Sequence, residues 1–410
     1  MVVNDATRVF VKEHLYDDVR RLALAKPPAG VDMLMALTQI EGFQAALHKL
    51  PAWAATEGML WPCKLALEQC SSEATARYKH DVAERLLHGQ SHEQQVASVM
   101  ADITGGLGVD FAALAPLFTR ATYIEQQAGL CELARNNFAC IGLDNVEIVC
   151  DNGMEWLAAC PAPLTLLYID PARRNDAGRK VTMIEDCRPD VAGMQHTLHR
   201  LTRFCLIKLS PMLDITAAVR AMTGVTEVHI VEYQGECKEL LLVIDYGRNE
   251  GAEPQIHCTD LTAGQTFSFT RTEEVQTAAM LATSIETYLY EPGAALLKAG
   301  AFNLISIRYG LRKLARMTHL YTGNHLVDNF QGRVWQVVDS CGFAKHELKR
   351  MLDGTGRAEL SVRGFPMSVT QLRRQLRLKD GGSTHLIATT LGNGKKVLIS
   401  VKAILQRTTL

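Results

Sequence analysis

At 410 residues the chain exceeds one ordinary hydrophobic core, so two or three domains are expected. It is 47% hydrophobic and 21% charged with a mean hydropathy of +0.00, which excludes a disordered chain. No apolar run approaches the ~18 residues that would span a bilayer, so no membrane partner is expected. The net charge of −1 hides an asymmetry: residues 301–410 carry 18 Lys and Arg against 6 Asp and Glu, a net of +12, and the remainder carries −13.

Such a split suggests a polyanionic partner for the basic segment, the bland alternative being a solvated surface with chance clustering. The 11 cysteines are scattered without a C-x-x-C pair. That argues against a zinc site and a disulfide framework, and fits a reducing cytosol. The opening "MVVNDATRVFVKEHLYDDVRR" has charges throughout and no apolar leader core, so secretion is not expected and a cytoplasmic location is.

Residues 1–95 read as helical. Ser71-Ser72-Glu73 suits an N-cap before "ATARYKHDVAERLL", whose apolar positions recur at helical intervals. Lys79 reads there as a helix surface residue.

From residue 96 short strands alternate with helices: "VASVMADI", "ATYIE", "VEIVCD", "LTLLYID" and "FCLIKLS" are strand-like. "VTEVHIVEY" and "ELLLVIDY" follow closely, which suggests an antiparallel hairpin at a sheet edge. Alternation of this kind predicts a doubly wound α/β domain over 96–247. "GRNEGAEPQ" reads as a boundary, after which smaller α+β modules are expected over 255–325 and 326–410.

Chemistry-bearing residues gather at strand ends. In "DITGGLGVD", Asp102 ends a strand, and Gly105, Gly106 and Gly108 let a backbone approach a ligand closely. The spacing is neither G-x-G-x-x-G nor a P-loop. Glu125, Asp151 and Asp170 end the next strands. Four acids in register lie where the ligand crevice of an open α/β sheet lies. Pro171 and Arg173 follow Asp170.

Taken as an ordered set, "DITGGLGVD", "YIEQQAGLCELARNNF", "IVCDNG" and "YIDPARR" resemble class I S-adenosylmethionine-dependent methyltransferases over about 150 residues. The resemblance implies a seven-stranded Rossmann-like sheet with S-adenosyl-L-methionine as cofactor. It implies that the turn Thr104–Gly108 holds the methionine part, Glu125 the ribose hydroxyls and Asp151 the adenine amino group, with Asp102 and Asn152 as further cofactor-binding candidates. Thr104 stands where the family has its first glycine. Asp170-Pro171 resembles the D/N-P-P-x motif of enzymes that methylate nucleic-acid nitrogens, with Arg173 in place of the usual aromatic. A guanidinium there can stack on a base or grip a phosphate, or pair with Asp170 or Asp176 on the surface.

The whole chain, with "EQCSSEATARYK", "KLSPMLD", "GECKELLL", "YEPGAALLKAGAF" and "LRRQLRLKDGG", looks like a bacterial methyltransferase family with a ferredoxin-like segment and a C-terminal THUMP-like domain. That implies an RNA substrate, tRNA or rRNA. Arg363, Arg373, Arg374, Arg377 and Lys379 are the candidate RNA contacts, the alternative being a solvated basic helix face. Lys208 falls near the expected cleft. Cys205 and Cys237, beside strands, read as buried thiols rather than nucleophiles. No metal ligand set is expected. The readings left open are an RNA base-nitrogen methyltransferase, a protein or small-molecule methyltransferase, and a non-catalytic RNA-binding protein.

Overall fold

The structure is a computed structural model that describes residues 3–88, 98–172, 183–248 and 251–404. The chain divides into two compact units, Met1–Val225 with Leu241–Gly251, and Thr226–Leu240 with Ala252–Leu410. Among the described residues no helix is long and apolar enough to cross a membrane.

The first unit opens with helices, the longest being Met33–Lys49 and Glu73–His88. Strands β1 (Val99–Asp102), β2 (Arg120–Ile124), β3 (Val146–Val149), β4 (Leu164–Ile169) and β5 (Thr202–Leu209) then alternate with helices, as the sequence pattern predicts. β1 pairs in parallel with β2 on one side and β4 on the other. Strand order therefore reverses between β1 and β4, and the crevice outside their C-terminal ends is the topological switch point.

β6 (Val225–Tyr233) and β7 (Glu236–Asp245) complete the expected set. Only Gln234 and Gly235 separate them, both at positive φ, as a type I′ hairpin turn requires. The sheet does not end there. β8 (Gln255–Asp260) runs parallel to β6, and β9 (Gln265–Phe269) antiparallel to β8. The order is β3-β2-β1-β4-β5-β7-β6-β8-β9, nine strands rather than the seven expected, and the β6–β7 hairpin is internal rather than an edge. "IHCTD" lies beyond the polar boundary stretch, so strand alternation alone did not assign it to this sheet.

The second unit also holds β10 (Tyr288–Pro292), β11 (Arg312–Ala315), β12 (Thr318–Gly323), β13 (Gly332–Cys341), β14 (Glu359–Arg363), β15 (His385–Thr390) and β16 (Lys396–Ile404). They form a seven-stranded sheet in the order β11-β12-β10-β13-β16-β15-β14.

In the first unit the N-terminal helices share one core with the sheet. Phe43, Trp53, Trp61 and Leu67 belong to the same buried cluster as Met100, Phe111, Tyr123 and Phe138. The joint is polar as well as apolar. Two buried side-chain amides grip the backbone at Leu60-Trp61. Gln39 donates to the Trp61 carbonyl and accepts from the Trp61 N–H, both at 2.8 Å. Asn137, from the helix Ala128–Cys140, does the same for Leu60, both at 2.9 Å. Each amide replaces the strand partner that this extended segment lacks. Asn137→Ala removes both Leu60 bonds inside the protein, and stability to urea should fall by about 3 kcal/mol. The loss will read as a lower denaturation midpoint for the transition that unfolds the first unit.

Candidate active site

The turn after β1 rests on aromatic rings. Phe111, Tyr123 and Phe138 lie with ring centroids 5.3–5.5 Å apart. A Cβ on Gly105 would come within 2.5 Å of the Tyr123 ring, and one on Gly108 within 2.6 Å of Phe138. Gly108 also sits at φ +80°, which side-chain-bearing residues rarely adopt. Gly106 differs: its Cβ would meet nothing nearer than the Thr104 carbonyl at 3.6 Å, so that side of the turn is open. The Tyr123 hydroxyl donates to the Gly106 carbonyl and fixes the turn from beneath.

Glu125, at the end of β2, is buried and locks the same turn from the side. One carboxylate oxygen accepts the Gly106 N–H and the other the Gln127 N–H, each at 2.8 Å. Asp151 follows β3 and is exposed, accepting the N–H of Asn152 at 2.7 Å; its own N–H donates to the Glu125 carbonyl at 3.1 Å. Asn152 caps the helix Gly153–Ala159, its side-chain oxygen accepting from Met154 and Glu155. Gly153, which the sequence did not single out, allows that helix to meet β1: a Cβ there would lie 2.1 Å from the Ile103 carbonyl.

Thr104 explains its own presence. Its hydroxyl donates to Asp102 Oδ1 at 2.9 Å and accepts the Asp170 N–H at 2.8 Å. Its N–H donates to the same Asp102 oxygen. Glycine could make only the last of these bonds. Asp102 is almost wholly buried, and that burial raises its carboxyl to about 8, against the two Thr104 hydrogen bonds.

Asp170, ending β4, is partly exposed, and its Oδ2 is held by Lys208 from β5. Lys208 also lies 3.9 Å from Asp110, the second residue of the helix Val109–Leu114. Asp110 is the centre of a buried network that the sequence did not reveal. Ser71 and Tyr168 each donate to its Oδ2 at 2.7 Å, and Lys79 Nζ lies 3.1 Å from its Oδ1. Lys79 is fully buried rather than on a helix surface. It also donates to the Thr75 carbonyl at 3.2 Å and the Ser71 hydroxyl at 3.3 Å. Thr75 and Lys79, four residues apart, share one face of the helix Glu73–His88, and Ser71 reaches the same point from just before that helix. Burial alone would raise the Asp110 carboxyl; the charges of Lys79 and Lys208, with the Ser71 and Tyr168 bonds, outweigh it and lower it to about 2.

Of the sequence candidates, hydrogen bonds join Asp102, Thr104 and Asp170 to one another, and Gly106, Glu125, Asp151 and Asn152 to one another; Gly105 accepts from Gly108 within the turn, and Pro171 follows Asp170. Arg173 lies outside the described residues. Burial raises the Cys237 thiol to about 12 and that of Cys205 further still, so neither offers a thiolate near neutrality. In the second unit, Arg374, Arg377 and Lys379 are exposed. Arg363 is held by Glu291 at 2.6 Å, and Arg373 donates to the Ala358 carbonyl at 2.8 Å and pairs with Asp380.

Lys79→Met leaves the Asp110 charge buried with one cation fewer, at a cost of about 3–5 kcal/mol, and adding Asp110→Asn recovers part of it. The sign with pH follows from the lowered carboxyl. Its stabilisation is complete above the unfolded value near ~4 and is lost as pH falls toward about 2. Acid titration followed by circular dichroism should therefore show Lys79→Met unfolding at higher pH than the wild type.

The chain resembles known proteins along its length. A ferredoxin-like domain family matches residues 288–330, and a THUMP domain-like family matches residues 332–403. A crystal structure from Porphyromonas gingivalis W83, provisionally named a methyltransferase, is 31% identical. It covers 99% of this chain and 100% of its own, with a TM-score of 0.83. Proteins from two strains of Mycobacterium tuberculosis, named uncharacterized S-adenosylmethionine-dependent methyltransferases, are 25% identical over 351 residues, 80% of this chain and 84% of theirs. With β1–β5 wound as described and this full-length likeness, the chain belongs to the family of class I S-adenosylmethionine-dependent methyltransferases that carry a ferredoxin-like and a THUMP-like domain.

Proposed function

We propose that this enzyme methylates a base nitrogen in RNA, tRNA or rRNA, with the second unit contributing RNA affinity. The observation that carries the reading is the Thr104 hydroxyl, which ties the glycine turn to the Asp170-Pro171 loop at the switch point. One threonine thus links the expected cofactor side to the expected substrate side.

The residues present fit S-adenosylmethionine. The side of the turn at Gly106 is open, whereas Gly105 and Gly108 are filled from within. Each Glu125 oxygen holds one backbone N–H and keeps a lone pair for a ribose hydroxyl. Asp102, buried, holds the turn through its two Thr104 bonds, and exposed Asp151 offers an acceptor for the adenine amine, flanked by Asn152. When bound, the cofactor supplies a methyl group already activated on a sulfonium.

The chain's remaining task is alignment. Asp170 accepts an N–H of the target amine and turns its lone pair toward the methyl; the proton lost on methylation passes to that carboxylate or to water. Lys208 holds Asp170 in place through their ion pair. Pro171 restricts the loop that follows.

The RNA assignment rests on the THUMP-like match and the +12 charge of residues 301–410. Arg374, Arg377 and Lys379 are the best placed to meet phosphate, since Arg363 and Arg373 already spend donors within the protein.

Nucleosides from a strain lacking the gene, analysed by mass spectrometry, should lack one methylated base, and Asp170→Ala should fail to restore it. Calorimetry should show that Asp170→Ala still binds S-adenosylmethionine. An unchanged nucleoside profile, with labelled methyl arriving on protein instead, sinks the RNA reading. Separately, replacing Arg374, Arg377 and Lys379 by alanine should weaken RNA binding and reduce the slope of log K against log salt by about 2, at ~0.7 per single-strand phosphate contact. Filter binding at several salt concentrations measures this.

A further inference from the structure

We propose that Glu227, His229 and His257 form a binding site for one divalent transition-metal ion of the zinc class, apart from the methyl-transfer residues. All three belong to the second unit. Glu227 and His229 stand two residues apart on β6 and so share a face of the sheet. β8 runs parallel alongside, and its register puts His257 directly opposite His229. One potential ligand atom from each residue lies within 4.8 Å of the other two. Glu227 Oε2 is 2.9 Å from His229 Nε2 and 3.8 Å from His257 Nε2.

The surroundings orient these atoms. His257 Nδ1 lies 2.7 Å from the hydroxyl of Ser268, its register partner on β9. A metal-binding imidazole commonly makes this division, one nitrogen for the ion and the other for a hydrogen bond that fixes the ring. In the tautomer that donates its Nδ1 proton to Ser268, His257 presents Nε2 as a ligand atom toward the Glu227 carboxylate. The second imidazole, stacked 4.7 Å away between ring centroids, brings a third potential ligand atom to the same cluster, which a metal ion uses and a single proton does not. For bonds of about 2.0–2.1 Å a tetrahedral ion holds its ligands ~3.3 Å apart, so the observed pair distances straddle what is required.

The donor set decides the class of ion. Two imidazoles and one carboxylate suit zinc, cobalt, nickel or iron(II), whereas magnesium and calcium prefer all-oxygen shells. Three protein ligands also leave a fourth position for water. The His229 side chain is 3% exposed and that of His257 22%, so the cluster is enclosed yet has a way in. An ion here would tie β6 to β8, with β9 supporting through Ser268.

Chelator-treated full-length protein titrated with Co(II) tests the proposal, because cobalt reports its ligands by colour. The expected result is one equivalent bound with visible d–d absorption, displaced by Zn(II), and a metal-dependent rise in melting temperature. His257→Ala should abolish both signals, and Ser268→Ala, which removes only the supporting hydrogen bond, should weaken affinity about 10- to 100-fold. Circular dichroism of the metal-free variants checks that they fold. No uptake at millimolar Co(II) overturns the site and leaves a protonated histidine–glutamate pair. A strong thiolate charge-transfer band that survives His257→Ala overturns it too, by assigning the metal to cysteines. None of these readouts uses methyl transfer, so the site and the proposed RNA activity stand or fall separately.

Discussion

A lysine ammonium with no exposure to water has to find its counter-charge inside the protein, and Lys79 finds it at Asp110. Desolvating both ions is costly, and the Thr75 carbonyl, the Ser71 and Tyr168 hydroxyls and the second cation of Lys208 offset it. The pair therefore demands one arrangement of four chain segments. The helix Glu73–His88, the helix after the glycine turn, β4 and β5 must all come to the same point. Asp170 is the outermost member of that network, and its position depends on the charges stacked behind it.

This ties the N-terminal helices to the proposed site. They supply Ser71 and Lys79 below the site, and Gln39 holds the segment that Asn137 holds from the sheet side. The region acts as the floor of the methyltransferase unit, built from its own hydrophobic core and one buried ion pair.

The strand-end acids and the glycine turn were legible in the sequence because their spacing follows from sheet geometry: in a doubly wound sheet, a residue ending a strand faces the crevice wherever the strand lies. Lys79 was not legible, since lysine is seldom buried and its partner lies 31 positions away with no periodic relation to it. Thr104 looked like an imperfect glycine because backbone freedom is readable from residue type, whereas a hydroxyl serving two loops is a tertiary fact. The two added strands fell past a polar stretch that reads as a domain boundary. Glu227, His229 and His257 were hidden for a related reason. The i, i+2 spacing on β6 was visible, but pairing it with β8 requires the register. Two of the five basic candidates, Arg363 and Arg373, are tied to nearby acids and carbonyls, which a count of charges does not anticipate.

The aromatic plate under the glycine turn separates two pressures that usually coincide. Gly105 and Gly108 are required by Tyr123 and Phe138, so folding alone selects for them. Asp151 is exposed, and among the described residues its side chain accepts a single, local hydrogen bond, from the Asn152 N–H. In a descendant that had abandoned methyl transfer, the glycines would persist as fossils of packing. If Asp151 holds the adenine as proposed, it would drift early there, and the exposed acid after β3 would trace retained chemistry better than the glycine signature by which such proteins are first noticed.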